Sequence, residues 1–319
     1  MAPPMPTAEP APMTPPTDRA DCPLCGVAPV ARPGAVVAPE TGAAYGIVAC
    51  PRCGLGRTRP APADPAPYYG PAYYGNRHGA TARLCRHRRL KILRRHAGPG
   101  DGRRLLDYGC GDGDFARAAR ARGWDAVGLE RQPPAGGDLP VVASLDELAG
   151  RPPFAAATFW HVLEHLPDPV ATLAATRDHL EPGGVVLAAV PNFASWQARA
   201  FGAHWLHLDL PRHLWHFTPG SLARAFGAAG FAVDRVGFGE VEYDAIGWAQ
   251  GLLDRHLGGR GEFFRSASGR PARAGESRWR RRAQAGLGLG LAAPSAALAL
   301  VEAGLGRGGT ILLAARARG

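Results

Sequence analysis

The apolar pair Leu105-Leu106 runs into the polar, glycine-rich turn Asp107-Tyr-Gly-Cys-Gly-Asp-Gly-Asp-Phe115 and then into a helix-like stretch, an order that predicts strand, turn and helix. Trp124 to Leu129 reads as a second strand that closes on an acid, Glu130. Further strand patterns cover Phe231 to Glu240 and Gly309 to Ala315. Between them lies an insertion, placed at residues 243–306, which holds Trp279-Arg-Arg-Arg282 and a nineteen-residue run without charge, Ala283 to Val301. Such a run is long enough to cross a bilayer of about 30 Å. A single crossing would strand the strand at 309–315 on the wrong side, so a helix lying in the membrane interface is expected, with a buried helix or a dimer contact as the alternative. Thr81 to His96 reads as an Arg-rich helix capping the core, its charge otherwise a solvated face.

The turn at 107–115 selects among ligands. Helix N-termini preceded by glycines normally receive phosphate, but Asp107, Asp112 and Asp114 would repel a pyrophosphate. Gly109, Gly111 and Gly113 also depart from the dinucleotide spacing G-x-G-x-x-G. A cationic ligand suits the turn better, and S-adenosylmethionine carries a sulfonium and an ammonium but no phosphate. Glu130, 21 positions after Gly109, is placed to take the ribose hydroxyls.

With these residues the chain resembles the class I S-adenosylmethionine-dependent methyltransferases, whose first motif is D-x-G-x-G-x-G. Thr158 to Pro169 and His179 to Asn192, with its L-x-P-G-G turn, look like the fourth and fifth strands of the ubiquinone-methyltransferase-like branch. The resemblance covers roughly residues 100–240 and the last ten, and departs at Ala155, where the branch carries Asp after Phe. It implies an α/β fold, a Rossmann-like seven-stranded sheet with helices on both faces, occupying 99–319. It further implies cofactor contacts from Trp160 and His161.

Methyl transfer to a hydroxyl or amine needs a proton acceptor, and histidine is the natural one near neutral pH. His161-Val-Leu-Glu164-His165 ends the fourth strand, where the resemblance places the transferred methyl. As a bare H-x-x-E-H it suggests a metalloprotease, but that needs a helix, and Leu-Pro-Asp-Pro follows it. The branch has Glu-x-x-Glu-His here and can hold Mg²⁺; His161 replaces the first acid, which weakens such a site. His165 and His161 are therefore candidates for catalysis, with a satisfied core histidine as the alternative. The second cluster, His204 to Pro219, holds four His, two Trp and one Arg. His213 is a second candidate base, and Asn192, His207, Arg212 and His216 are candidate acceptor ligands, against the alternative of aromatic packing.

Four of six cysteines form two knuckles, Cys22-x-x-Cys25-Gly and Cys50-x-x-Cys53-Gly, separated by 24 residues. Their spacing predicts a Cys₄ ribbon over 21–58 with structural Zn²⁺; rubredoxin-type iron and two disulfides are the alternatives. Gly46 to Cys50 is expected to pair as a hairpin, and Cys110 to pack inside the glycine turn. Residues 1–20, rich in Pro and Ala, are expected to form a disordered tail without a secretory leader. Residues 59–98 connect ribbon to core through a proline-dense segment with Tyr68-Tyr69 and Tyr73-Tyr74.

The net charge of +10, nearly all from Arg, favours anionic partners. The expectation is a cytoplasmic enzyme, peripheral at the inner face of the membrane, that methylates a small-molecule, sugar or lipid-linked acceptor, most readily on oxygen. The rival is an RNA methyltransferase using the ribbon on nucleic acid. Against it, the fourth strand lacks the Asn-Pro-Pro-aromatic sequence used for base amines; Pro191-Asn192-Phe193 follows the fifth strand instead. A non-enzymatic scaffold is disfavoured by the intact Asp107, glycines and Glu130.

Overall fold

The structure, a computed structural model, describes residues 21–38, 41–64, 66–69, 81–132, 137–273 and 275–318. The expected tail over 1–20 and the Tyr73-Tyr74 pair lie outside the described residues. The N-terminal part forms three antiparallel strands, β1 (Val30–Val37), β2 (Ala44–Ala49) and β3 (Gly56–Arg59). Helix α1 (Ala82–Ala97) leads into β4 (Arg104–Tyr108), α2 (Asp114–Arg120), β5 (Asp125–Leu129) and β6 (Val141–Val142). Next come β7 (Phe154–Trp160), α3 (Pro169–Arg177), β8 (Leu180–Pro191), α4 (Trp196–Phe201), β9 (Trp215–His216), α5 (Pro219–Ala228) and β10 (Phe231–Phe238). The chain closes with α6 (Val241–Leu257), α7 (Glu262–Ala267), α8 (Arg278–Gly304) and β11 (Thr310–Ala317).

The large sheet has seven strands in the order β10-β11-β8-β7-β4-β5-β6, parallel except for β11, which runs antiparallel to both neighbours. The seven-stranded architecture expected from the sequence is thus present, and the last strand lies between β10 and β8. Because successive strand residues face opposite sides, Leu105 packs toward α1 and α2 beside Leu93 and Ala116, whereas Leu106 joins Phe159, Leu173 and Phe226 on the α3 and α5 side. Local chemistry sets the helix starts. Asp168 caps the amide of Ala171 ahead of Pro169, and Thr218 with Ser221 forms a capping box ahead of Pro219.

The small sheet is not self-contained. Its order is β1-β2-β3-β9, and β9 belongs to the loop between β8 and α5, with Gly56 opposite His216 and Arg57 opposite Trp215. A Cβ on Gly56 would stand 2.9 Å from the His216 Cβ, so glycine lets the two backbones approach. The segment expected as a hairpin, Gly46 to Cys50, contributes the last four residues of β2, which has a strand on each side.

Helix α1 does more than present charge to water. Arg89 is buried, and Arg88 and Arg89 reach Glu240 at the start of α6, while Arg86 pairs with Asp114 at 2.8 Å. The acidity of the glycine turn is therefore used in part to hold α1. In the insertion, α8 lies along α6 and α7, and Arg280 and Arg281 turn inward to Glu262 and Glu276.

Candidate functional site

The site forms where β4, β5 and β7 end. Gly109, Gly111 and Gly113 all have positive φ (68°, 58° and 77°), which lets the chain fold back over the end of β4. A Cβ on Gly109 would meet Val162 Cγ2 at 2.5 Å, so this glycine brings the turn against the loop after β7. Gly111 differs, since a Cβ there would meet no atom within 4 Å. Its outer face borders open space, as a backbone cradle for a ligand requires. Cys110 packs over Gly128, where a Cβ would be 2.5 Å from its sulfur.

Glu130, half-buried after β5, accepts the Gly111 amide at 3.1 Å, which places its carboxylate beside the cradle. Asp107 is buried beneath the turn and accepts the Thr158 hydroxyl at 2.7 Å. Burial pushes its pKa up to about 7, against the opposing hydrogen bond from Thr158. A cation above it would restore the charged form. Trp160 is buried on the side of the sheet that α1 and α2 cover, its ring edge-on to Phe115 at 5.5 Å and under Arg89 at 5.1 Å.

The loop after β7 brings the histidines together. His161 adopts φ 56°, stacks on Tyr243 and bonds Glu240 through Nε2 at 2.5 Å, with Glu164 3.5 Å from Nδ1. Burial lowers its pKa, but the nearby charges of Glu240 and Glu164 and the hydrogen bond to Glu240 outweigh this and raise it to about 9. The bond to Glu240 engages Nε2, which makes this side chain a charge partner of Glu240. Glu240 is fully buried and shared by Arg88, Arg89 and His161. These cations hold it well below the usual carboxylate range despite burial.

His165 bonds the Arg212 carbonyl through Nδ1 at 3.0 Å, with the Tyr69 hydroxyl at 3.2 Å. A carbonyl only accepts, so this contact puts the proton on Nδ1 and the lone pair on Nε2. Burial, reinforced by His213, pushes the His165 pKa down to about 3. His213 stands edge-on to His165 with ring centroids 4.6 Å apart, and its Nδ1 donates to the His207 carbonyl at 2.9 Å. Its Nε2 lies 4.0 Å from both Glu164 Oε1 and Asp209 Oδ2. Glu164 is buried, and neither of its oxygens has a hydrogen-bond partner among the described residues. The three groups Glu164, His165 and His213 present ligand atoms within 4.8 Å of one another, a set able to hold a divalent cation; His161, taken by Glu240, is outside it.

The expected acceptor ligands divide. His207 is buried, 6.0 Å from the Tyr243 ring, and its pKa is pushed down to about 4 by burial and by His161 and His213. Arg212 is held by Asp209 and the Tyr68 carbonyl, so its guanidinium positions the loop. Asn192 spans a turn, donating to the Gly308 carbonyl at 2.8 Å and accepting the Ala194 amide at 3.0 Å. His216 bonds the Thr58 hydroxyl of β3 at 3.0 Å. Both side chains are held in place by these bonds. Glu240, Tyr69, Asp209 and Tyr243 complete the site without a motif of their own; their partners are 79, 96, 3 and 82 positions away or come from neighbouring loops.

At the far side of the small sheet, the knuckle thiols converge. Cys22 and Cys53 sulfurs are 3.5 Å apart and those of Cys25 and Cys50 3.3 Å, with all four within 4.8 Å. These separations exceed a disulfide bond of about 2.05 Å, and all six cysteines are free thiols.

A glycine cradle with an acid at the next strand end, on a sheet of this strand order, defines a nucleoside-binding transferase. The methyltransferase domain family matches residues 77–236, and the chain belongs to that family as a class I S-adenosylmethionine-dependent methyltransferase. It is 31% identical over 182 residues to a ubiquinone biosynthesis O-methyltransferase of Cereibacter sphaeroides, an alignment covering 50% of this chain and 71% of that one. The corresponding protein of Ruegeria pomeroyi is 32% identical with the same coverage. Among solved structures, a SAM dependent methyltransferase from Archaeoglobus fulgidus is 18% identical and covers 73% of this chain and 93% of its own, with a TM-score of 0.45.

Proposed function

We propose that the protein methylates an oxygen of a small-molecule or lipid-linked acceptor, such as a phenolic hydroxyl. Bound S-adenosylmethionine supplies a methyl group on a cationic sulfur. Glu130, Asp107 and the three glycines hold that ligand at the end of β4. His165, neutral and with its lone pair on Nε2, orients the acceptor hydroxyl, and His213 receives the proton. The single observation that carries this reading is the position of His213 Nε2, which faces the carboxylates of Glu164 and Asp209 at 4.0 Å each beside the His165 ring. The names of the ubiquinone-pathway relatives support an oxygen acceptor. The knuckle cysteines are read as a structural Zn²⁺ site, which their convergence supports.

The test is formation of S-adenosylhomocysteine with a catechol, an aliphatic amine and a structured RNA offered separately. Turnover is expected with the catechol, and His213→Asn should lower it by roughly 10²-fold or more while cofactor affinity is kept. Methylation of the amine or RNA alone, or full turnover in His213→Asn, overturns the reading. One observation favours a second reading, in which Glu164, His165 and His213 hold a divalent cation that orients the acceptor oxygen: the bare, buried carboxylate of Glu164. Loss of turnover on chelation, restored by added Mg²⁺ or Zn²⁺, distinguishes it.

A further inference from the structure

Helix α8 is built inside out. Its buried residues are Gln284, Gly288, Ser295, Ala299 and Glu302, which fall within an arc of about 60° at 3.6 residues per turn. Three of the five are polar, and two are bonded to the body. Gln284 accepts from Gln250 at 3.0 Å and donates to the Gly258 carbonyl at 2.8 Å, and Glu302 accepts from Gln197 at 2.7 Å. The outward surface carries Leu287, Leu289, Leu298, Leu300 and Val301, all at least 40% exposed, with Trp279 at 73%. A soluble surface helix has the opposite polarity.

From this reversal we infer that α8 rests in the interfacial layer of an anionic phospholipid bilayer, parallel to its plane. Three features select this occupant. The exposed leucines and Val301 spread over roughly 180° of the helix, wider than the stripe a single partner helix covers. Cations bracket the apolar stretch, with Arg278 and Arg282 exposed at its start and Arg307 just beyond its end, and the only acid of α8, Glu302, is buried. By length and composition α8 is able to cross a membrane. Its bonds at Gln284 and Glu302 instead tie both halves to the protein body, so it lies flat with its polar side on the protein and its apolar side in lipid. Arg280 and Arg281, committed to Glu262 and Glu276, contribute little; Arg278, Arg282 and Arg307 meet the phosphates. This surface is independent of the acceptor chemistry proposed above.

The experiment is flotation of the full chain with vesicles of phosphatidylcholine alone or with 30 mol% phosphatidylglycerol. Binding is expected to the anionic vesicles and to weaken as salt rises. Replacing Arg278 and Arg282 by Glu should reduce it by roughly fivefold or more per residue, and Leu289→Glu with Leu300→Glu by roughly a hundredfold. Both pairs are exposed, so S-adenosylhomocysteine affinity and thermal melting should stay unchanged, which separates lost docking from lost folding. A blue shift of emission on vesicle addition, absent in Trp279→Phe, is the second readout. A chain that ignores anionic vesicles overturns the inference. If it is also a dimer that Leu289→Glu dissociates, the face belongs to a second copy; if monomeric, it is simply solvated.

Discussion

Gly109 and Gly111 are two positions apart with nearly the same backbone conformation, yet alanine should affect them differently. Each substitution places a side chain in the left-handed region, which costs roughly 1–2 kcal/mol. At Gly111 the added methyl meets no protein atom within 4 Å, so that strain is the whole cost to the fold. At Gly109 it meets Val162 Cγ2 at 2.5 Å and Cγ1 at 3.1 Å, and such overpacking adds roughly 1–3 kcal/mol. Taking about 2–4 °C per kcal/mol for a chain of this class, Gly111→Ala should lower the melting temperature by a few degrees and Gly109→Ala by about twice that. Binding should rank the other way in proportion to stability lost. The methyl at Gly111 fills the space through which ligand approaches backbone, so titration calorimetry with S-adenosylhomocysteine should show affinity falling roughly 10–100-fold. An affinity within twofold of the parent for Gly111→Ala would place the ligand elsewhere and refute the cradle.

Two further outcomes follow from the buried groups. With its pKa raised to about 7, ligand-free Asp107 must lose a proton below neutrality before it can face a cation, so cofactor affinity should fall by up to tenfold per pH unit below 7, and Asp107→Asn should flatten that slope in calorimetry run across pH. The sign for folding is opposite: because the folded pKa lies above the ordinary 3.8, the native state holds the extra proton, and Asp107 alone makes the fold more stable as pH drops from about 7 toward 4. For the knuckles, one tightly held Zn²⁺ per chain is expected, and Cys50→Ser should release it and lower the melting temperature; elemental analysis finding no stoichiometric metal in the parent would contradict the assignment.

What was legible in the sequence is what is local. Asp107 to Asp114, Glu130 and the paired cysteines stand out because each pattern is a spacing within one turn or between neighbouring strand ends. The surroundings of His161 are not local, because its partner Glu240 is 79 positions away and only that contact makes it a charge partner. The bonds of Asn192 and His216 are likewise distant, running to Gly308 and Thr58. A two-residue strand such as β9 carries no periodicity, so nothing along the chain reveals that the small sheet continues into the loop between β8 and α5. The charge-free run of α8 is legible as a long apolar helix, but not which arginines turn inward, since Glu262 and Glu276 precede it without pattern.

The shared sheet bears on the order in which the protein is made. Thr58 bonds the His213 carbonyl and His216 across 155 and 158 positions. A ribosome releases β3 long before the segment around His213, so the edge that receives β9 stays unpaired until that later loop is made. Closing so distant a pair from a fully unfolded chain is entropically slow, whereas docking a short segment onto a finished edge is not. Refolding from denaturant should therefore lag behind synthesis in recovering the loop that carries His207, Arg212 and His213, and truncating the first sixty residues should cost the protein its acceptor side while sparing the glycine cradle.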